Sequence, residues 1–303
     1  MTTDFVSLIT CTYNRRRFYN NLKTMIAYQD YPHSHMEWII MDDSDESSEA
    51  MFPEKLDGIT VRYIYLKKKI PLGKKRDLLN HAAKGKYLIN IDDDDFYPPC
   101  RVSHAVAELK RSGSPIAGSS KMFMYFCKDN NIYQLGPYKE NHGTAATMAY
   151  TKEYANEHFY YDSSNGNYAE EAAFTEGWKP TMVQLDPMKT VLALSHTDNT
   201  IEKTMFLDER YGQVGRTIHK VTLCLEDFIS TPDVLEFYKN LSLSYEFKVN
   251  DISKQVSSLM ESNMIQSQET YNQEMAKRMV AEIQHAYIWE QKMKAMNLMD
   301  LMF

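Results

Sequence analysis

Two regimes of apolar and polar positions divide this chain. Up to about residue 200, short strand-forming apolar runs end abruptly in polar clusters, with helix-period stretches between them. Residues 5–11 (FVSLITC) predict a first buried strand, followed by the polar loop TYNRRR. In 18–30 the apolar Leu22, Met25 and Ile26 fall at helical spacing, and Tyr31-Pro32 closes that helix. Residues 37–41 (EWIIM) predict a second strand closed by Asp42-Asp43-Ser44-Asp45, and 60–66 a third. A helix over 72–84 is entered through Pro71 and left through Gly85, with Lys74, Lys75 and Arg76 in its first turn. Residues 86–91 then predict a strand running into Asp92-Asp93-Asp94-Asp95 and the breaker Pro98-Pro99. This order predicts an α/β fold with a mostly parallel, doubly wound sheet.

Further on, a helix is expected over 100–111, with Val102, Ala105, Val106 and Leu109 as its buried stripe. Residues 115–127 and 132–135 read as paired strands joined by a turn at 128–131. Gly143 to Tyr150 is a small-residue stretch suited to close backbone approach. A helix over 169–178 opens on two glutamates, and 183–194 reads as two strands around a turn at Asp186-Pro187. Past Thr200 the second regime begins: no glycine follows Gly215 and no proline follows Pro232. From 251 to 303 the chain is rich in Met, Gln, Glu, Lys and Ala, with apolar residues at loosely helical spacing. Two domains are therefore expected, 1–202 and a helical C-terminal extension over 203–303, the first divided into halves 1–99 and 100–202. Met- and Tyr-bearing helical faces in the extension need a cover, so a homodimer through these helices is expected.

A parallel sheet places its strand ends on one edge, so the polar clusters 12–17, 42–45 and 92–95 should converge on one cleft. Four adjacent carboxylates repel one another, and oxygen-only ligands on a turn suit magnesium or manganese. The alternative is a solvated acidic turn; the buried strand before it favours the ligand-bearing reading.

Composition narrows the rest. The 303 residues can bury a large core, and 43% apolar with 25% charged content is ordinary for a soluble protein. A net charge of −7 disfavours a nucleic-acid partner held by bulk electrostatics. Cys11, Cys100, Cys127 and Cys224 have no metal or disulfide spacing and fit a reducing compartment. No apolar run reaches the roughly 18 residues of a membrane span, and residues 1–4 lead straight into a strand, so a cytoplasmic protein is expected.

Taken in order, VSLITCTYNR, WIIMDDSDESS and GKKRDLLNHAAKGKYLINIDDDD resemble three blocks of the nucleotide-diphospho-sugar transferases, the family-two-like glycosyltransferases of the GT-A fold. The first is similar to that family's first strand and nucleotide-binding turn, the second to its second strand, the third to its glycine-arginine helix and Asp-x-Asp motif. The resemblance covers roughly residues 5–200 and leaves the last hundred unmatched. It implies that Thr12, Tyr13, Asn14 and Arg15 line the nucleotide, that Asp43 accepts from the base, and that Lys75 and Arg76 approach the nucleotide. Aligning Tyr97-Pro98 makes Asp94 the principal metal ligand, with Asp92 and Asp93 toward ribose and metal; four identical residues leave the register open by one. AEEAAF (169–174) resembles the acidic pair that supplies the base in inverting members, with Glu171 where Asp is commoner and Glu170 facing elsewhere. LSHTDNT places His196 where many members have a metal-binding histidine, and Gly143-Thr144 resembles the acceptor-facing glycine loop. The implied activity is metal-dependent transfer of a sugar from a nucleotide-sugar, a UDP-sugar, to an acceptor hydroxyl with inversion, and the implied cofactor is Mn2+ or Mg2+. Two alternatives stand beside it: a non-catalytic sugar- or partner-binding module on the same fold, and a sugar nucleotidyltransferase, whose Gly-rich opening loop TYNRRRFY lacks.

Overall fold

A computed structural model describes residues 3–161, 170–199, 203–207 and 217–242 of the chain. The expected helical segment 251–303 lies outside the described residues.

The fold starts from β1 (Val6–Thr12) and β2 (Met36–Asp42), buried along their whole length. They pair in parallel, and β5 (Tyr87–Asn90) and β4 (Ile59–Tyr65) add on either side, also in parallel. Side chains alternate across a strand, and here the alternation sorts them onto two layers. Val6, Leu8, Trp38, Ile40 and Ile89 face one layer with Leu22, Met25 and Ile26 of α1 (Tyr19–Ala27) and Val102, Ala105 and Leu109 of α3 (Arg101–Ser112). Ile9, Cys11, Ile39, Met41 and Leu88 face the other, with Leu79 of α2 (Leu72–Ala82), Tyr154 of α4 (Lys152–Glu157) and Phe174 of α5 (Glu170–Phe174). Helices on both faces of a parallel centre make the doubly wound sheet that the pattern predicts.

The edges depart from that simple picture. Among the described residues the sheet has eight strands in the order β10-β6-β9-β5-β1-β2-β4-β3, with β3 Lys55–Leu56, β6 Ile116–Gly118, β9 Ala149–Thr151 and β10 Met182–Gln184. β9 runs antiparallel to both β5 and β6. A second sheet has the order β11-β7-β8-β12, formed by β7 Met122–Phe126, β8 Asn131–Leu135, β11 Leu192–Ser195 and β12 Ile218–Lys220.

Two expected segments are each divided between the sheets. Residues 115–127 form β6 in the first and β7 in the second, and 183–194 contribute β10 and β11 in the same way. The backbone N–H groups of Ser119 and Ser120 leave the ladder at this crossing, donating to Thr147 Oγ1 at 3.0 Å and Gln184 Oε1 at 2.7 Å. The turn expected at 128–131 does join antiparallel partners, β7 and β8. The helix expected over 169–178 closes early: Glu176, Gly177 and Trp178 all take positive φ.

Chain beyond residue 202 joins this same core. Leu225, Ile229, Val234, Tyr238 and Leu241 are buried in the main apolar cluster, the last three on a helix described over 232–242. Phe237 packs edge-on against Phe18 with ring centroids 5.7 Å apart. Among the described residues no helix is long and apolar enough to cross a membrane.

At the opposite edge from the polar clusters, Gly85 passes directly against β1. A Cβ there would meet backbone atoms of Val6 and Ser7, and the Gly85 N–H donates to Ser7 Oγ at 2.8 Å. Ser7 Oγ in turn donates to buried Glu37 at 2.6 Å. Backbone cannot yield as a flexible side chain can, so Gly85→Ala should cost about 1–3 kcal/mol, read as a lower urea midpoint at unchanged slope.

Candidate active site

Register brings the polar clusters together. Thr12 lies opposite Asp42 in the β1–β2 ladder, and Ile9 opposite Asn90 in the β1–β5 ladder, so all three strands run out at one edge. The β1–α1 loop ties the ends to each other. Asn14, at φ 55°, donates its backbone N–H to Ser44 Oγ at 2.7 Å and its side-chain amide to Asp45 at 2.9 Å. The three arginines after it fan outward. Arg15 turns to the Asp run, Arg16 to Ser47 and Ser48, and Arg17 to Asp198 at 2.8 Å and His196 Nδ1 at 3.3 Å.

On the nucleotide side implied by the resemblance, Asp43 is buried and already engaged. Its Oδ1 accepts from Lys75 Nζ at 2.6 Å and its Oδ2 from the Ile70 N–H at 2.9 Å. Each oxygen keeps a second lone pair for a further donor. Lys75 also donates to the Thr12 carbonyl at 3.0 Å, so this lysine is an internal strut between β1 and β2. Tyr13 carries the Lys69 ammonium over its ring at 3.6 Å. Arg76 bridges Asp92 and Glu170, each at 3.2 Å. Burial works against its charge, but these carboxylates hold the guanidinium protonated, its pKa pushed further up.

The four aspartates have four different surroundings. Asp92 takes Arg76 on Oδ1, and its backbone N–H donates to Tyr97 Oη at 2.8 Å. Asp93 is pushed well above the usual carboxylate range by burial and by the charge of Asp94 beside it. On Asp94, burial is outweighed by His196, Lys203 and Arg15, which hold the carboxyl below its ordinary range. Its Oδ2 receives His196 Nε2 at 3.0 Å and Asn199 Nδ2 at 3.3 Å, with Arg15 Nε at 3.5 Å. Asp95 faces inward instead: its Oδ1 accepts the Leu194 N–H at 2.8 Å and its carbonyl accepts Tyr238 Oη at 2.9 Å. Burial pushes its carboxyl up to about 8.

His196 is buried against Phe18, ring centroids 4.9 Å apart. Its Nδ1 accepts the Asp198 N–H at 3.1 Å, which assigns the proton to Nε2 and makes the imidazole a donor to Asp94. Among the described residues no group of three or more His, Cys, Asp or Glu is arranged as a ready cation cage. The donor chemistry nonetheless fits a hard divalent ion: neighbouring carboxylates offer oxygen ligands on one turn, and after burial it is the charge of Asp94 that raises the Asp93 carboxyl.

Glu170 and Glu171 open α5 and diverge. Glu170, expected to face elsewhere, is buried on Arg76 and so belongs to the ionic network of the Asp turn. Burial and the neighbouring Glu171 push its carboxyl up. Glu171 Oε1 accepts the Ala145 N–H at 2.9 Å, which fixes it beside the Gly143-Thr144 loop. That loop is held from below. Asn90 donates to the Ala145 carbonyl at 2.8 Å, and buried Arg101 donates to the carbonyls of Thr147 and Met148, both at 2.9 Å. Gly143 passes so close to Gly118 that a Cβ on it would lie 3.1 Å from the Gly118 Cα.

Glu170, Arg17, Asn199 and Arg101 are site or support residues that sequence reasoning missed. Asn199 stood in the motif containing His196, and Glu170 next to Glu171. Arg17 stood in the polar cluster 12–17 without a role of its own, and nothing local marks Arg101, whose partners lie far along the chain.

The model of Glycosyl transferase family 2 matches residues 7–166, more than half of the chain. No curated protein matches it in sequence. Among solved structures, S. aureus TarS is similar at a TM-score of 0.50 and 18% identity, over 63% of this chain and 36% of that one. Residues 1–349 of TarS in complex with UDP match at 0.50 and 17%, over 80% of this chain and 92% of that one. The mannosyltransferase PcManGT from Pyrobaculum calidifontis, in complex with GDP-Man and Mn2+, matches at 0.50 and 12%, over 99% of this chain and 86% of that one. At these identities the likeness is one of fold, and it bears out the expected GT-A architecture.

His142, next to the Gly143-Thr144 loop, gives the site's flank a pH dependence. Its ring lies between Trp178, at a centroid distance of 4.3 Å, and Tyr138, at 5.0 Å, and neither ring nitrogen has a hydrogen-bond partner among the described residues. Burial, with Lys139 nearby, lowers its pKa to about 4. The unfolded chain, near 6.5, binds the proton first, so stability should fall as pH drops from about 6.5 toward 4, by about 2–3 kcal/mol at pH 4.5. Urea unfolding at pH 7.5 and 4.5 should show this loss in the wild type, and His142→Phe should lose less over the same interval.

Proposed function

The chain belongs to Glycosyl transferase family 2, and from that membership we propose that it moves a sugar from a UDP-sugar to an acceptor hydroxyl, with inversion at the anomeric carbon and with a divalent ion. The observation that carries this reading is the meeting of three strand ends at one edge, with Glu171 held at the neighbouring loop. Thr12, Tyr13, Asn14 and Asp43 form the base and ribose side. Arg15 and Arg76 supply positive charge toward the diphosphate, and Lys75 holds Asp43 in place for the base. The UDP complex of TarS supports the choice of uridine nucleotide.

Asp94 and Asp92 would hold the ion, with His196 beside them; the Mn2+ in the PcManGT complex supports manganese. When bound, the ion neutralises charge on the departing diphosphate. Glu171 takes the acceptor proton as the hydroxyl attacks C1 opposite the leaving group, a role typically worth roughly 10²–10⁴-fold. The Ala145 N–H bonds one of its oxygens, and the other would take the proton. Gly143 and Thr144 offer backbone without bulk on the acceptor side.

Two measurements test this reading. Calorimetry should show UDP binding tightly with Mn2+ and weakly in EDTA, because a diphosphate cannot approach these carboxylates unscreened. Asp94→Ala should remove the metal-dependent part, and equal affinity with and without Mn2+ would sink metal dependence. Glu171→Gln should lower transfer at least about a hundredfold while UDP affinity stays near wild type. Near-normal turnover in that variant, or a product of retained configuration by NMR, would refute the base and the inversion.

A further inference from the structure

Arg15 differs from its neighbours in how its charge is met. Arg16 and Arg17 close bonds at 2.7 and 2.8 Å, and Arg76 bonds two carboxylates. Arg15 is nearly enclosed, its side chain 12% exposed, yet its Nε has no hydrogen-bond partner among the described residues. That nitrogen lies 3.5 Å from Asp94 Oδ2 and 4.0 Å from Asp93 Oδ1, beyond the about 2.7–2.9 Å of a charge-assisted bond. Among the described residues its guanidinium makes one long hydrogen bond, from NH1 to the Tyr13 carbonyl at 3.4 Å. Charge alone therefore holds it against the aspartates. The Asp94 oxygen that it faces is crowded by His196 and Asn199, so a cation reaching that oxygen must turn N–H donors away. Of these, Arg15 is the one that carries a full charge and the weakest bond.

We propose that Arg15 is a displaceable counter-ion of Asp93 and Asp94: a divalent ion drives its guanidinium off these carboxylates, and the guanidinium then takes the diphosphate of the donor. The inference rests on the reading of this edge as a metal and nucleotide-sugar site. Two cations cannot share one carboxylate pair without mutual repulsion, so the arginine and the ion compete there. A diphosphate arriving with the ion offers paired anionic oxygens that match the guanidinium fork better than the present contacts. The resident arginine lowers the cost of burying Asp93 and Asp94 together, and it weakens binding of the ion alone. Ion and nucleotide should therefore bind cooperatively, with Arg15 as the group that links them.

Calorimetry with Mn2+ alone, and with UDP in saturating Mn2+, tests this on wild type, Arg15→Gln and Arg15→Lys. Arg15→Gln removes the competing charge at similar length. It should bind Mn2+ alone at least about fivefold tighter, and UDP at least about tenfold more weakly. Arg15→Lys keeps a point charge without the fork, so Mn2+ affinity should stay near wild type while UDP affinity falls at least about threefold. Circular dichroism checks that both variants are folded; should Arg15→Gln not fold, the Lys variant carries the test, and unchanged UDP affinity in it overturns the proposal. Mn2+ affinity in Arg15→Gln that is unchanged or weaker, with wild-type binding intact, overturns the competition. Wild type that binds neither Mn2+ nor UDP overturns the reading of the site itself, and this inference with it.

Discussion

Everything at the working edge of this protein follows from one electrostatic constraint. Parallel pairing of β1 with β2 and β5 delivers aspartates from two separate strand ends to one place, and carboxylates so close cannot all stay ionised without cations among them. The chain supplies those cations from two elements. Lys75 and Arg76, adjacent on α2, divide the work, one fastening Asp43 and the other joining Asp92 to Glu170. The arginines of the β1–α1 loop do the same toward Asp94 and the loop at 196–199. Because these ion pairs span strand ends, helices and the later acidic pair, the charge balance is also the frame of the site.

The first half of this arrangement was legible in the sequence for a physical reason. Strands buried on both faces leave continuous apolar runs, and abrupt polar ends mark where they stop, so 5–11, 37–41 and 86–91 could be placed together with their clusters. The later half was less legible. Residues 115–127 read as one strand and 183–194 as two strands around a turn, yet each segment is divided between the two sheets, the first at bonds that Ser119 and Ser120 make to Thr147 and Gln184. Periodicity carries no trace of which sheet a strand joins.

Candidate chemistry followed the same division. The Asp run, Glu171 and His196 were visible because residue type and order single them out. The ion pair between Arg76 and Glu170 joins residues on two elements brought together only by packing, and nothing around either residue announces it. The tautomer of His196 is likewise a property of its neighbours, set by the Asp198 N–H. Asp95 shows the converse: it is the same residue type as its three neighbours, and only the fold turns it inward to the Leu194 N–H and the Tyr238 hydroxyl.

Asp95 also fixes when in the life of the chain this edge can take shape. Its two partners, the Leu194 N–H and Tyr238 Oη, come from 99 and 143 residues downstream. Closing loops of such length costs more chain entropy than pairing neighbouring strands and helices. During synthesis the strands that bear the aspartates leave the ribosome well before the segments that lock the turn. A chain shortened before residue 192 would retain the Asp-bearing strand and lack both of these bonds.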